Sequence, residues 1–315
     1  MEKRVLGRSG IEIPRLMFGG NVFGWTADEP TSFKLLDSLS DHGFNAIDTA
    51  DIYSHWVPGH KGGESETVIG NWLKTRGGRD RLVIATKVGM AEGVDGKKLS
   101  RASIIRAAEE SLRRLQTDYI DLYQAHADDT ETPLAETLET FQSLIDDGKV
   151  RAIGASNYTA PRLQEALDTS ARLGISRYES LQPHYNLVER AAFEDELEPL
   201  CIAQTLGVIN YFALAAGFLT GKYRSEADLS ASPRGEGVKK YLDPRGRRVL
   251  KALDEVAEQA GATPAQVAVA WLIARPSVTA PIASATSLAQ LEDLLKSVSL
   301  QLPPAAIKAL DEASA

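Results

Sequence analysis

The chain has 315 residues, with 35 Lys and Arg against 43 Asp and Glu, a formal charge of −8 at pH 7. At 43% hydrophobic and 25% charged residues, its composition excludes disorder, fibres and low-complexity scaffolds. Its acidity argues against a nucleic-acid or anionic-membrane partner, and its single cysteine, Cys201, leaves no disulfide framework and no cysteine-based metal cage.

Read along the chain, the opening MEKRVLGRSGIEIPRL carries basic residues with no apolar stretch behind them, so no signal peptide is expected. Residues 5–13, centred on Gly7-Arg8-Ser9-Gly10, are predicted to form a small hairpin closing a barrel floor. Short β-rich segments then follow at 15–19, 44–48, 82–87, 119–123, 150–155, 179–182, 207–211 and 278–282. Helical periodicity fills the intervals: Leu134, Leu138, Phe141 and Ile145 mark one face, and Val249, Leu253, Val256 and Ala260 another. Thr132-Pro133 and Thr159-Ala160-Pro161 read as helix starts, and Thr263-Pro264-Ala265-Gln266 as a capping box. Residues 217–247 form a long polar, glycine-rich excursion after the seventh strand, and 262–275 an additional helix. The apolar run in that helix is too short to span a bilayer, so no membrane association and a cytoplasmic location are expected.

The alternation predicts an α/β chain folded as a (β/α)8 TIM barrel, with an N-terminal β-hairpin and a long loop after strand seven, residues 1–315 making one domain. A doubly wound two-domain fold competes, but no G-x-G-x-x-G follows any strand.

Barrel strands open their C-terminal ends on one face, where active sites lie. Asp48 ends the second strand, Tyr53 follows in its loop, Lys87 ends the third, and His126 lies just past the fourth. Each alone has a structural explanation: a cap, a half-buried aromatic, a surface lysine, a loop histidine. Four at consecutive strand ends point instead to chemistry. An ammonium near a phenol stabilises the phenolate and draws its pKa down toward the working range. Asp48 would hold Lys87 charged, and a neutral His126 would donate to a substrate carbonyl. Such a set suits protonation of a carbonyl oxygen while hydride arrives at carbon.

At these residues the sequence resembles the aldo-keto reductase superfamily, through FNAIDTADIYS, IATKVG, DLYQAH, IGASNY, SLQPHYN and LAAGFLTGKYR, in order and across essentially the whole chain. The resemblance implies an oxidoreductase that reduces an aldehyde or ketone, or oxidises an alcohol. Tyr53 would be general acid/base, supported by Asp48, Lys87 and His126. It implies NADPH as cofactor, with NADH possible, lying extended across the barrel mouth without a Rossmann domain. Ser156, Asn157 and Gln182 would bind the carboxamide, with amide-matching donors and acceptors. Tyr211 would stack on the nicotinamide, and Leu214, Gly217, Leu219 and Lys222 would form the pyrophosphate loop, with Arg224 adding charge. Gly20, Asn21 and Asp48 would line the cleft, and Ser284, Thr286 and Gln290 would meet the adenosine end. Trp25, His55, Trp56 and Phe212 are expected to wall the substrate pocket.

The chain departs from that pattern in three places. Many relatives read Tyr-Ser-Pro-Leu where it has Tyr211-Phe212-Ala213-Leu214; Thr286 stands where a basic residue is common, and Leu294 where an asparagine is. The last two weaken the expected grip on a 2′-phosphate. No metal is expected: His55 and His60 do not make H-E-x-x-H. Gly221-Lys222 lacks P-loop spacing, and Asn157-Tyr158-Thr159 is read as an accidental glycosylation sequon. Cys201 reads as a buried small hydrophobe. A monomer or weak oligomer is expected, because a chain of this length can bury its own core. A second reading stays open, a cofactor-binding, redox-sensing regulatory subunit with little turnover.

Overall fold

A computed structural model describes residues 2–315. Strands β1 (Lys3–Val5) and β2 (Glu12–Pro14) pair antiparallel as the expected hairpin. Its turn needs Gly7, which has φ +57° and where a Cβ would collide with the Glu179 carbonyl. The barrel is built from β3 (Met17–Gly19), β4 (Ala46–Asp48), β5 (Val83–Val88), β6 (Ile120–Ala125), β7 (Val150–Ser156), β8 (Tyr178–Gln182), β9 (Gly207–Val208) and β10 (Ile282–Ala283). All pair in parallel, in the order β10-β3-β4-β5-β6-β7-β8-β9. The circle closes where Val208 bridges Val278 and Ile282 N donates to the Asn210 carbonyl at 2.9 Å.

Around the sheet lie α1 (Glu29–Asp41), α2 (Glu64–Arg76), α3 (Arg101–Leu115), α4 (Leu134–Asp146), α5 (Ala160–Leu173), the short α6 (Ala191–Glu194), α7 (Leu197–Gln204), α8 (Pro244–Ala260), α9 (Pro264–Ile273), α10 (Leu288–Lys296) and α11 (Pro304–Ser314). Among the described residues none is long and apolar enough to cross a membrane. The capping box at Thr263 and Gln266 is present, and Thr159 caps α5. Cys201 is buried in α7, where burial pushes its thiol up to about 12.

Several boundaries differ from the sequence reading, each for a local reason. The seventh strand stops at Val208, and the Tyr211 N–H instead reaches the Pro183 carbonyl. The eighth begins at Ile282: before it, Thr279 N and Ala280 N both donate to the one Val208 carbonyl and the Thr279 hydroxyl accepts from Val208 N, which breaks the regular ladder. Thr132 does not cap α4; its hydroxyl donates to Asp129 at 2.7 Å, and the helix starts from Pro133 with no side-chain cap. In α8 it is Ala257, not Ala260, that is buried. The excursion from 217 folds into 3-10 turns, Ala215–Thr220, Glu226–Ala231 and Glu236–Tyr241. It ends sooner than 247 because Asp243 caps Gly246 N at 2.6 Å and starts α8.

The barrel interior is sorted by height. Leu6, Ile13, Met17, Ala46, Ala85, Leu122, Ala152 and Ile209 form an apolar plug on the hairpin side. Above it sit the buried polar side chains of Asp48, Lys87, Gln124 and Gln182, from β4, β5, β6 and β8. This layering places the ionisable groups at the mouth with a dry floor beneath them.

Candidate active site

Asp48 is the last residue of β4, and the loop after it turns back at once: Thr49 N donates to Ala85 O, and Tyr53 N to Ala50 O. That turn aims the Tyr53 hydroxyl at the end of β5. Lys87, fully buried, donates to Asp48 Oδ2 and the Thr49 carbonyl at 2.7 Å each, and to the Tyr53 oxygen at 2.8 Å. Tyr53 OH in turn lies 3.3 Å from Asp48 Oδ2, to which it donates. The His126 ring stands edge-on to the Tyr53 ring, centroids 6.0 Å apart.

One expectation reverses. Burial first, then the Asp48 charge and the hydrogen bond to it, holds the Tyr53 phenol well above its ordinary pKa. The Asp48 carboxylate beside the Lys87 ammonium works against the downward pull expected from the lysine. Lys87 itself is pushed down by burial, against the upward pull of Asp48. Tyr53 is therefore a neutral O–H at physiological pH, a proton donor held by two charges of opposite sign. His126 is pushed down to about 2 by burial and then by the Lys87 charge, so its ring is neutral. Its Nδ1 is buried without a protein partner.

The amide cluster is tightly tied. Asn157 Nδ2 donates to the His126 carbonyl at 2.9 Å and to Ser156 Oγ at 3.1 Å, and Ser156 Oγ donates to the Gln182 carbonyl at 2.9 Å. The Tyr211 hydroxyl donates to Asn157 Oδ1 at 2.8 Å while its ring stacks on His184, planes 15° apart. These groups, with Asp48, Tyr53 and His126, line a cavity of about 1220 Å³. It continues past Leu214, Gly217 and Lys222 to Ser284, Thr286 and Gln290. At its wall Phe212 and Ala216 hold left-handed backbone, φ 55° and 56°, a conformation costing about 1–2 kcal/mol per residue. Such strain concentrates at ligand sites.

The model of the Aldo/keto reductase family matches residues 15–315. The chain belongs to that family. It is 36% identical to the uncharacterized oxidoreductase YrpG of Bacillus subtilis, over 99% of this chain and 95% of the relative. It is 33% identical to the aldo-keto reductase YhdN of the same organism, over 93% and 88%. It is also 33% identical to a probable voltage-gated potassium channel subunit beta of Arabidopsis thaliana, over 95% and 91%. Membership makes it an oxidoreductase of small molecules, in a family that generally uses nicotinamide cofactors.

Against the family expectation, four residues sit elsewhere than foreseen. Gly20 lies under the wall, its carbonyl accepting from Ser65 Oγ at 2.8 Å, and does not line the cavity. Leu219 is fully buried in the core. His55 is outside the pocket, edge-on to Trp56 and bonded to the Ile52 carbonyl. Arg224 is occupied by Asp254, two contacts of 2.7 Å, so its charge does not reach the cavity. Asn21, Trp25, Trp56 and Phe212 do line it.

Sequence reading missed three others. Arg234, from the excursion, lines the cavity with its guanidinium 4.9 Å from the Trp25 ring centroid and Nη2 unpartnered. Met90, 42% exposed, adds to the aromatic mouth. Gln124 underlies Asp48. At the far end, Thr286 N and Oγ1 both donate to Gln290 Oε1, and Asp293 accepts from Thr263 and Gln266. Lys222 and Arg234 are the cations lining the cavity among the described residues.

Proposed function

We propose that the chain is an NAD(P)H-dependent carbonyl reductase in which Tyr53 gives its proton to the substrate carbonyl oxygen. The observation that carries this reading is the position of Lys87 Nζ, 2.7 Å from Asp48 and 2.8 Å from the Tyr53 oxygen. As the phenol proton leaves, negative charge forms on an oxygen already facing an ammonium, and the stabilisation is in place beforehand. Neutral His126 has one ring N–H to offer the same substrate oxygen, and dry surroundings strengthen both contacts. The donor set fits a nicotinamide dinucleotide: the Ser156 hydroxyl and the amides of Asn157 and Gln182 at one end, the Tyr211 ring beside them, Lys222 and Arg234 for a pyrophosphate, and Asn21, Ser284, Thr286 and Gln290 beyond. When bound, the reduced nicotinamide supplies the hydride.

NADPH is the favoured cofactor in this reading and NADH a usable one, since the far end offers hydroxyls and an amide but no cation. Trp25, Trp56, Met90 and Phe212 suit a bulky apolar or aromatic carbonyl compound. A monomer or weak oligomer in the cytoplasm completes the reading. The test is Tyr53→Phe against a panel of aldehydes and ketones with both reduced cofactors. Cofactor binding should stay within about twofold, and kcat should fall at least about a hundredfold, the low end for loss of a general acid. Retention of most activity would remove Tyr53 from the chemistry. The relatives named as potassium channel subunits support the second reading, a redox-sensing subunit. Cofactor binding with no turnover on the whole panel would favour it.

A further inference from the structure

The Asp48 carboxylate has two sides. Oδ2 accepts from Lys87 and Tyr53, while Oδ1 accepts from Gln182 Nε2 at 2.8 Å and, at 3.4 Å, from Gln124 Nε2. A carboxylate only accepts, so both glutamines must turn their NH2 groups toward it. That leaves Gln124 Oε1 facing Gln182, and it accepts the second N–H of Gln182 Nε2 at 3.3 Å. Both N–H groups of Gln182 are thereby used inside the barrel, and its own Oε1 is turned to the cavity that Gln182 lines.

The room for this arrangement comes from β7, which lies between β6 and β8. Its inward residue opposite Gln124 is Gly154. A Cβ there would stand 3.2 Å from Gln124 Cγ and collide with Ser180 Oγ. Glycine lets the Gln124 side chain, fully buried, cross under β7 and touch both Asp48 and Gln182.

We propose that Gln124 is a positioning residue that holds Gln182 in the orientation presenting a carbonyl acceptor to the carboxamide N–H of the cofactor. It thereby joins carboxamide binding to the Asp48 side of the proton-donor cluster. The proposal rests on the cofactor reading above. Without Gln124 the Gln182 amide keeps one anchor and is free to turn about it. The acceptor facing the carboxamide is then present for only part of the time.

The test uses the full-length protein and Gln124→Met, which keeps side-chain length while removing both polar atoms. Binding is titrated with NADP+ and with the 3-acetylpyridine analogue, whose methyl ketone has no N–H. Loss of one neutral hydrogen bond predicts about five- to tenfold weaker NADP+ binding. The analogue, which never made that bond, should weaken by less than about twofold. Gln124→Asn, an amide withdrawn by one methylene, should show the same selectivity and serves if the methionine variant does not fold. Equal weakening of both ligands, or weakening of neither, overturns the role of Gln124 while leaving the cofactor reading intact. Failure of the unmodified protein to bind either ligand overturns that reading and this inference with it.

Discussion

Replacing Asp48 by asparagine keeps the shape of the side chain and removes its charge, which makes it a sharp probe of the electrostatics at the barrel mouth. The carboxylate raises the pKa of both Tyr53 and Lys87. At an effective dielectric constant of about 20, a charge 3.3 Å from the Tyr53 oxygen interacts by about 5 kcal/mol. One 2.7 Å from Lys87 Nζ interacts by about 6 kcal/mol. Tyr53 and Lys87 share a hydrogen bond, so the basic limb of the pH–rate profile reports the pair and not either group alone. With the carboxylate gone, a buried positive charge without a counter-ion gives up its proton at lower pH. Relaxation and water entry reduce the size of the change but not its direction. We expect the basic limb of kcat/KM for aldehyde reduction to move down by at least about one unit. Urea unfolding should show a loss of about 3–5 kcal/mol, the usual cost of breaking a buried pair from one side. A folded variant whose basic limb stays in place or moves up would refute the reasoning.

Lys87→Met tests the opposite charge. It leaves Tyr53 beside an uncompensated carboxylate, so reduction should slow and the basic limb move to higher pH; an unchanged limb with only a raised KM would assign Lys87 to binding alone. Thr286→Arg adds a cation at the far end of the cavity, where none stands. A charge-assisted bond to the 2′-phosphate exceeds a hydroxyl bond by enough to widen the NADPH-over-NADH preference by roughly ten- to thirtyfold. Fluorescence titration of both cofactors measures it, and tighter NADH than NADPH binding in the unmodified protein would defeat the cofactor assignment. Light scattering should give a mass near 34.1 kDa for the monomer; a tight, concentration-independent multimer would contradict the expected weak self-association.

The barrel was legible because its signal is local and repeated: apolar runs of strand length, helical stripes between them, and starts such as Thr159-Ala160-Pro161 and Thr263-Pro264. The polar ends of β4 and β5 were legible for the same reason, since Asp48 closes its strand and Lys87 lies one residue from the end of its own, which puts both at the mouth. Directions set by tertiary packing were not. Leu219 and Gly217 are two residues apart in one turn, yet one faces the core and the other the cavity. Gln124 reads as an ordinary polar residue before His126 until Gly154 is seen to clear its path. Arg234 lies in a segment with no period to follow, where Ser232-Pro233-Arg234 signals a turn but not its aim. The Tyr53 pKa was misjudged because the sequence shows which charges are near but not how completely water is removed.

The seam of the barrel has a consequence for how the protein is made. Strand β3 has its partner β4 available within about 30 residues of synthesis, but its other edge must wait for β10, whose residues come more than 260 positions later. At about 5–20 residues per second that is an interval of tens of seconds. During it an unpaired parallel edge is open to wrong partners. The hydrogen bond from Ser284 to Asn21, 2.7 Å across 263 residues, shows that the cavity wall is assembled over the same seam. A molecule that occupies the cavity therefore favours the closed circle over any form with β10 detached. Ligand supply during synthesis would then influence the yield of folded protein as well as its later activity.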